Sequence, residues 1–155
     1  MSIADDIKIS SFLDHKNILF LNEASRDSAL AKLVDSLLDS GKIDDKESFY
    51  EAIIERENVV STGVGLGIAI PHAKKTHYKN FFIAIGIQKS KGLEWDSLDK
   101  SLVKLILMIG GPEDRQNDYL KILSKLTSVI RNEKDRKSII QAESTDDILN
   151  IFKEY

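Results

Sequence analysis

The sequence predicts an α/β fold in which a β-sheet is covered by helices, and three observations carry that expectation. Apolar residues recur at helical spacing in several segments, short apolar runs rich in β-branched and aromatic residues lie between them, and the two kinds of segment interleave along the chain. Such alternation argues for a sheet with helices packed on it and against an all-helical bundle. At 155 residues, 42% of them hydrophobic and 30% charged, the chain has the size and make-up of one domain able to bury a core without staples.

The elements follow in order. Ile18 to Leu21 reads as a first strand. From Ser25 to Ser40 the residues Leu30, Leu33, Val34, Leu37 and Leu38 share one helical face, with Ser25 placed to cap the start and Gly41 to end the turn. A second helix is expected from Asp44, whose carboxylate caps it with Glu47 completing a capping-box-like pair. Its apolar face holds Phe49, Tyr50, Ile53 and Ile54, and it runs out near Arg56 and Asn58. Ile68-Ala69-Ile70 reads as a short buried strand stopped by Pro71. Phe81 to Ile87 and Leu102 to Ile109 read as longer buried strands. Helical spacing returns from Arg115 to Arg131 through Tyr119, Leu123, Leu126 and Ile130. Ile148, Leu149 and Phe152 mark a terminal helix that Ser144 or Thr145 would cap.

Composition removes several classes of function. With no cysteine there is no disulfide framework, thiolate metal site or cysteine nucleophile. The net charge of −3, with Lys and Arg scattered among acids, offers no basic stripe for nucleic acid. Met1 to Asp6 has neither the basic flank nor the apolar core of a secretory signal, and no apolar run approaches the roughly 18 residues of a membrane span. A cytoplasmic protein with no direct membrane insertion is expected.

The chemistry concentrates between Arg56 and Ala73, in the run Ser61-Thr62-Gly63-Val64-Gly65-Leu66-Gly67-Ile68-Ala69-Ile70-Pro71-His72. Gly63, Gly65 and Gly67 free the backbone to turn N–H groups towards an anion. Pro71 ends the short strand, so His72 is expected to be displayed at its end. A neutral imidazole carries one ring lone pair, titrates near neutral pH, and can attack phosphorus to form a labile N–P bond. Arg56, Ser61, Thr62 and the loop amides are the candidate donors for the moving phosphoryl group, with no metal or cofactor required. Plainer readings stand beside these: His72 as an ordinary hydrogen-bonded residue, and Arg56 as a charge that suits a helix C-terminus. A dinucleotide loop would follow a strand and open a helix, whereas this one follows a helix and meets Pro71.

That run, preceded by Arg56, resembles the active-site signature of enzyme IIA of the fructose/mannitol/nitrogen-regulatory class of the bacterial phosphoenolpyruvate-dependent phosphotransferase system. The likeness extends more loosely over residues 10 to 153. It implies the type-2 IIA fold, a mixed sheet sandwiched between helices. It also implies His72 as the phosphorylated residue, Arg56 as its phosphate-binding partner, and a phosphorylated histidine phosphocarrier protein, HPr or its nitrogen-branch relative, as donor. The chain departs from the family at one position. A second histidine usual in the helix after the Pro112 loop corresponds here to Tyr119, whose neutral hydroxyl can donate one hydrogen bond but cannot become a cation near pH 7. Core packing is the competing reading of Tyr119, and His15 and His77 are expected to be surface residues. Two outcomes of transfer follow from the resemblance: delivery to a separate IIB protein and thence to a sugar, or regulation of target proteins by the charge on His72, as in nitrogen-type IIA. With no IIB or IIC segment on the chain, the regulatory outcome is favoured. A third possibility keeps the fold as a binding module that carries no phosphate.

Overall fold

The computed structural model describes residues 7–155, so the amino-terminal stretch read for a signal lies outside the described residues. A short 3-10 turn, Ile9–Phe12, leads into β1 (Leu13–Leu21) and α1 (Arg26–Asp39), followed by α2 (Lys46–Val59). Three short strands come next, β2 (Gly63–Gly65), β3 (Ile68–Ala69) and β4 (His72–Lys75), and then the two long central strands β5 (Phe82–Gln88) and β6 (Leu105–Pro112). Three helices close the chain: α3 (Gln116–Arg131), α4 (Glu133–Gln141) and α5 (Thr145–Phe152).

The strands form one mixed sheet in the order β1-β5-β6-β3-β2, with β4 continuing along the same edge of β6 as β3. β1 runs parallel to β5, β5 antiparallel to β6, and both β3 and β4 parallel to β6. Side chains of the central strands alternate between two cores, as a pleated sheet requires. Ile83, Ile85, Ile87, Leu105, Leu107 and Ile109 face the layer built from α3, α4 and α5. Phe82, Ala84, Ile106 and Met108 face α1 and α2. Among the described residues no helix is long and apolar enough to cross a membrane.

The expected sandwich of a mixed sheet between helices is what the chain adopts, with local differences. The second helix is capped by Asp45, whose side chain accepts from the Ser48 amide, one residue beyond the expected Asp44. β1 begins five residues before Ile18. Its first half is polar because β1 is an edge strand paired only with β5, so Asp14, His15 and Lys16 meet solvent. Leu102 precedes β6, while Val103 forms an isolated bridge to Leu93. α4 was not anticipated: it buries only Ile139, and its start rests on the Asn132 side chain accepting from the Asp135 amide.

Candidate functional site

Pro71 does not leave His72 at a strand end. The chain steps past it and resumes pairing, so that His72 opens β4 opposite Ile109 of β6, while the Pro71 carbonyl accepts from the Ile109 amide. The imidazole is thereby fixed at the edge of the central sheet, where β6 holds its backbone.

Both ring nitrogens are engaged. Nδ1 lies 3.2 Å from the Ile70 carbonyl oxygen, which can only accept, so Nδ1 carries the proton. Nε2 is then the lone-pair nitrogen, and it receives the Arg56 Nε–H at 3.2 Å. Burial is the leading cause that holds the His72 pKa below its ordinary value of 6.5, and the positive charges of Arg56 and Lys74 act in the same direction. The Ile70 carbonyl and Glu57 oppose them. His72 is thus kept neutral, with its nucleophilic nitrogen turned towards a guanidinium.

Arg56 reaches the site from the last turn of α2, and its Nη1 also donates to the Val60 carbonyl at 2.8 Å. It therefore does what a helix-end cation does and faces His72 as well. Behind it a buried network sets the geometry. The Glu57 carboxylate, 3% exposed, accepts from the Thr62 amide at 2.7 Å, the Thr62 hydroxyl at 2.6 Å and the Trp95 indole N–H at 2.7 Å. The Thr62 carbonyl accepts from the Ile70 amide at 3.0 Å, and the Ile70 carbonyl in turn orients His72. Neither Glu57 nor Trp95 was singled out by the sequence. Trp95 lies 38 residues from Glu57, and a lone Glu on a helix otherwise reads as a solvated charge.

The donors of Ser61 and Thr62 and the amides of Gly63 and Gly67, expected to face a phosphoryl group, are engaged within the chain itself. Ser61 Oγ donates to the Trp95 carbonyl at 2.5 Å and accepts from the Gly63 amide at 3.1 Å. Both donors of Thr62 are taken by Glu57. The glycine run is a two-residue β-hairpin joining β2 to β3, with Leu66 (φ 59°) and Gly67 (φ 79°) at the turn, the positive-φ pair that suits the strand twist. Its amides do meet an anion, but that anion is the chain's own: the Leu66 N–H donates to Asp99 at 2.9 Å. Gly65 lies against the same carboxylate, and the Gly67 N–H is taken by the Ser101 hydroxyl at 3.1 Å. Hydrogen bonds from the Ser101 side chain and from the Leu66 and Ser101 amides hold Asp99 down to about 2. At Gly63 any side chain would collide with Ser97, so glycine serves close packing there.

Tyr119 is beside His72, ring centroids 5.4 Å apart, and is 4% exposed. It is packed in the core formed with α3, and its ring lies adjacent to the histidine. His15 is exposed, and His77 lies against Asp44 and Tyr78, lining a separate cleft.

A mixed sheet between two helical layers, with a neutral histidine and an arginine at its edge, is the architecture of a type-2 enzyme IIA. Residues 11–155 match the family described as phosphoenolpyruvate-dependent sugar phosphotransferase system, EIIA 2. The chain belongs to that family and is a phosphotransferase component. It is 34% identical over 131 residues to a fructose-specific EIIA component of Haloferax volcanii, covering 84% of each chain. It is 32% identical over 150 residues to a mannitol-specific IIA component of Staphylococcus aureus, covering 94% of this chain and 98% of that one. A fructose-specific EIIABC component of Bacillus subtilis is 36% identical over 150 residues, but this chain spans only 24% of its length. Among solved structures, the nitrogen regulatory protein IIA-Ntr of Neisseria meningitidis superposes with a TM-score of 0.86 at 24% identity, covering 93% of this chain and 98% of that one. The Escherichia coli IIA mannitol domain, in complex with phosphorylated IIB, superposes with a TM-score of 0.79 at 17% identity, over 92% and 98%.

Proposed function

We propose that this chain is a cytoplasmic phosphohistidine carrier in which His72 Nε2 accepts a phosphoryl group from a phosphorylated histidine phosphocarrier protein and passes it to a protein acceptor. The observation that carries this reading is the pair of contacts on the His72 ring: a carbonyl fixes the proton on Nδ1, and a guanidinium faces the lone pair on Nε2. In the transfer, the Nε2 lone pair forms the new N–P bond as the donor's bond to phosphorus breaks. Arg56 then turns its N–H groups from the lone pair to the phosphoryl oxygens, at a distance its planar fork suits. As the imidazole becomes cationic, the Ile70 carbonyl on Nδ1–H stabilises the developing charge.

A IIB-type protein is the favoured acceptor, because relatives above 30% identity matched over most of their length are named sugar-specific IIA components. The regulatory reading expected from the sequence has one observation in its favour, the superposition on IIA-Ntr. Under that reading the two negative charges added at His72 alter a docking patch instead of travelling on. The test is phosphorylation with phosphoenolpyruvate, enzyme I and HPr, followed by mapping of the acid-labile phosphate. Wild type and the His15→Ala and His77→Ala variants should be labelled, and His72→Ala should not. Label retained by His72→Ala would sink the carrier reading. Transfer onward to a IIB protein separates transport from regulation.

A further inference from the structure

Phosphorylating His72 places about two negative charges and three acceptor oxygens at the edge of the sheet. Arg56 answers one side of that group. On the other side, where the sequence offers the neutral Tyr119, the structure holds a second cation. His72 and Lys74 are two residues apart on β4 and so project from the same face of the strand, with the buried Ala73 between them pointing the other way. Lys74 Nζ sits over the Tyr119 ring, 4.3 Å from its centroid, and that ring is in turn 5.4 Å from the imidazole. The ammonium also donates to Gln116 Oε1 at 2.6 Å, which ties it to the first turn of α3.

Lys74 lines the same open cleft as His72 and Arg56. The carboxylates of Glu55 and Glu113 also line it, yet among the described residues no carboxylate lies within 4.0 Å of either cation. An ammonium held by an aromatic face and a neutral amide keeps its charge available for an anion, whereas an ion pair would have spent it. We propose that Lys74, seated on Tyr119, is the second cation of this site and contacts the phosphoryl group on His72, with Tyr119 acting as the seat that aims it. The inference rests on the carrier reading given above. It moves the compensating charge from residue 119 to a side chain on the histidine's own strand.

Phosphoramidate is a suitable donor for the test, because it needs no protein docking and so isolates contacts to the phosphoryl group. Its P–N bond breaks, ammonia leaves with the bond pair, and His72 Nε2 takes the phosphorus. The rate of phosphohistidine formation on the full chain is followed by intact mass at several donor concentrations for wild type, Lys74→Met and Lys74→Arg, each with its thermal melting curve. Loss of a charge-assisted contact should slow Lys74→Met by about tenfold at saturating donor, while Lys74→Arg stays within about threefold of wild type. Lys74→Gln replaces Lys74→Met should that variant fail to fold. A wild-type rate in the charge-free variant overturns the inference, and so does equal slowing of Lys74→Met and Lys74→Arg, which would mean that the stem's packing and not its charge matters. A wild-type chain that takes no phosphate on His72 overturns the carrier reading and this inference with it. Labelled wild type with unimpaired Lys74→Met overturns this inference alone.

Discussion

At the scale of single residues, the behaviour of His72 follows from its burial. Its pKa is lowered in the folded chain, so below the ordinary 6.5 the unfolded chain takes up a proton that the folded one does not. The unfolded state then binds more protons, and stability falls as pH falls from 6.5 towards the depressed folded value. Wild type should therefore lose stability relative to His72→Gln over that window in urea titrations, and the two should run parallel above pH 7. Because the neutral imidazole persists, the rate of phosphoramidate labelling should also hold up just below pH 6.5, where a free imidazole would have lost more than half its lone pairs. For Arg56, which touches both His72 and the Val60 carbonyl, substitution by Lys keeps the charge but not the fork. Arg56→Lys should slow transfer by roughly 2 to 4 kcal/mol of activation free energy, as expected for one preorganised donor, with the melting temperature little changed. A wild-type rate would reduce Arg56 to a helix-end charge. Tyr119 has no hydrogen-bond partner for its hydroxyl among the described residues, and its ring is a packing element as well as a neighbour of His72. Tyr119→Phe, which keeps the ring, should slow transfer by no more than about 1 kcal/mol, the worth of one neutral hydrogen bond.

At the scale of elements, α2, the β2–β3 hairpin and the Trp95 segment are held together by one buried carboxylate. Glu57→Leu would leave the Trp95 indole N–H and the Thr62 amide without their acceptor. It should cost on the order of 3 kcal/mol in urea unfolding, since each buried donor left unsatisfied costs about 1 to 3 kcal/mol. Transfer should slow as well, because Thr62 and Ile70 relay the position of that carboxylate to His72. Unchanged stability would mean that water replaces Glu57 and that the network is incidental. The hairpin itself carries a conformation that works against it: Leu66 is a bulky side chain at φ 59°, more than half exposed. A left-handed leucine costs about 1 to 2 kcal/mol and gains little burial in return. Leu66→Gly should therefore stabilise the chain in thermal or urea unfolding.

On the scale of the whole molecule, apolar side chains stay exposed on the segments that carry the site: Val59, Val60, Val64, Leu66 and Leu98. Val59 lines the cleft with His72 and is 80% exposed. Single exposed apolar residues are ordinary, but their grouping on α2, its C-cap, the hairpin and the Trp95 segment matches what a phosphocarrier needs, a surface for brief docking. Val64→Asp and Leu66→Asp should raise the KM for a phosphorylated HPr donor without lowering the melting temperature or slowing phosphoramidate labelling. Unaltered transfer from the protein donor in both variants would remove this face from docking.

The sequence by itself determined the fold class, most of the helices, the two central strands and the identity of His72 and Arg56 as candidate site residues. Those features rest on local periodicity, capping chemistry and a contiguous motif, all of which one stretch of chain contains. What only the tertiary structure decided were the partnerships between distant segments. Asp99 fills the anion site of the glycine hairpin, Trp95 completes the Glu57 network, and β6 carries His72 as the start of a parallel strand instead of the end of a short one. Ser61 and Thr62 look like free donors in the motif because their acceptors, the Trp95 carbonyl and the Glu57 carboxylate, are assigned by packing and not by spacing. Lys74 stayed hidden for the same reason: its place against Tyr119, 45 residues further along the chain, exists only once β4 lies beside β6 and α3 packs over the sheet edge.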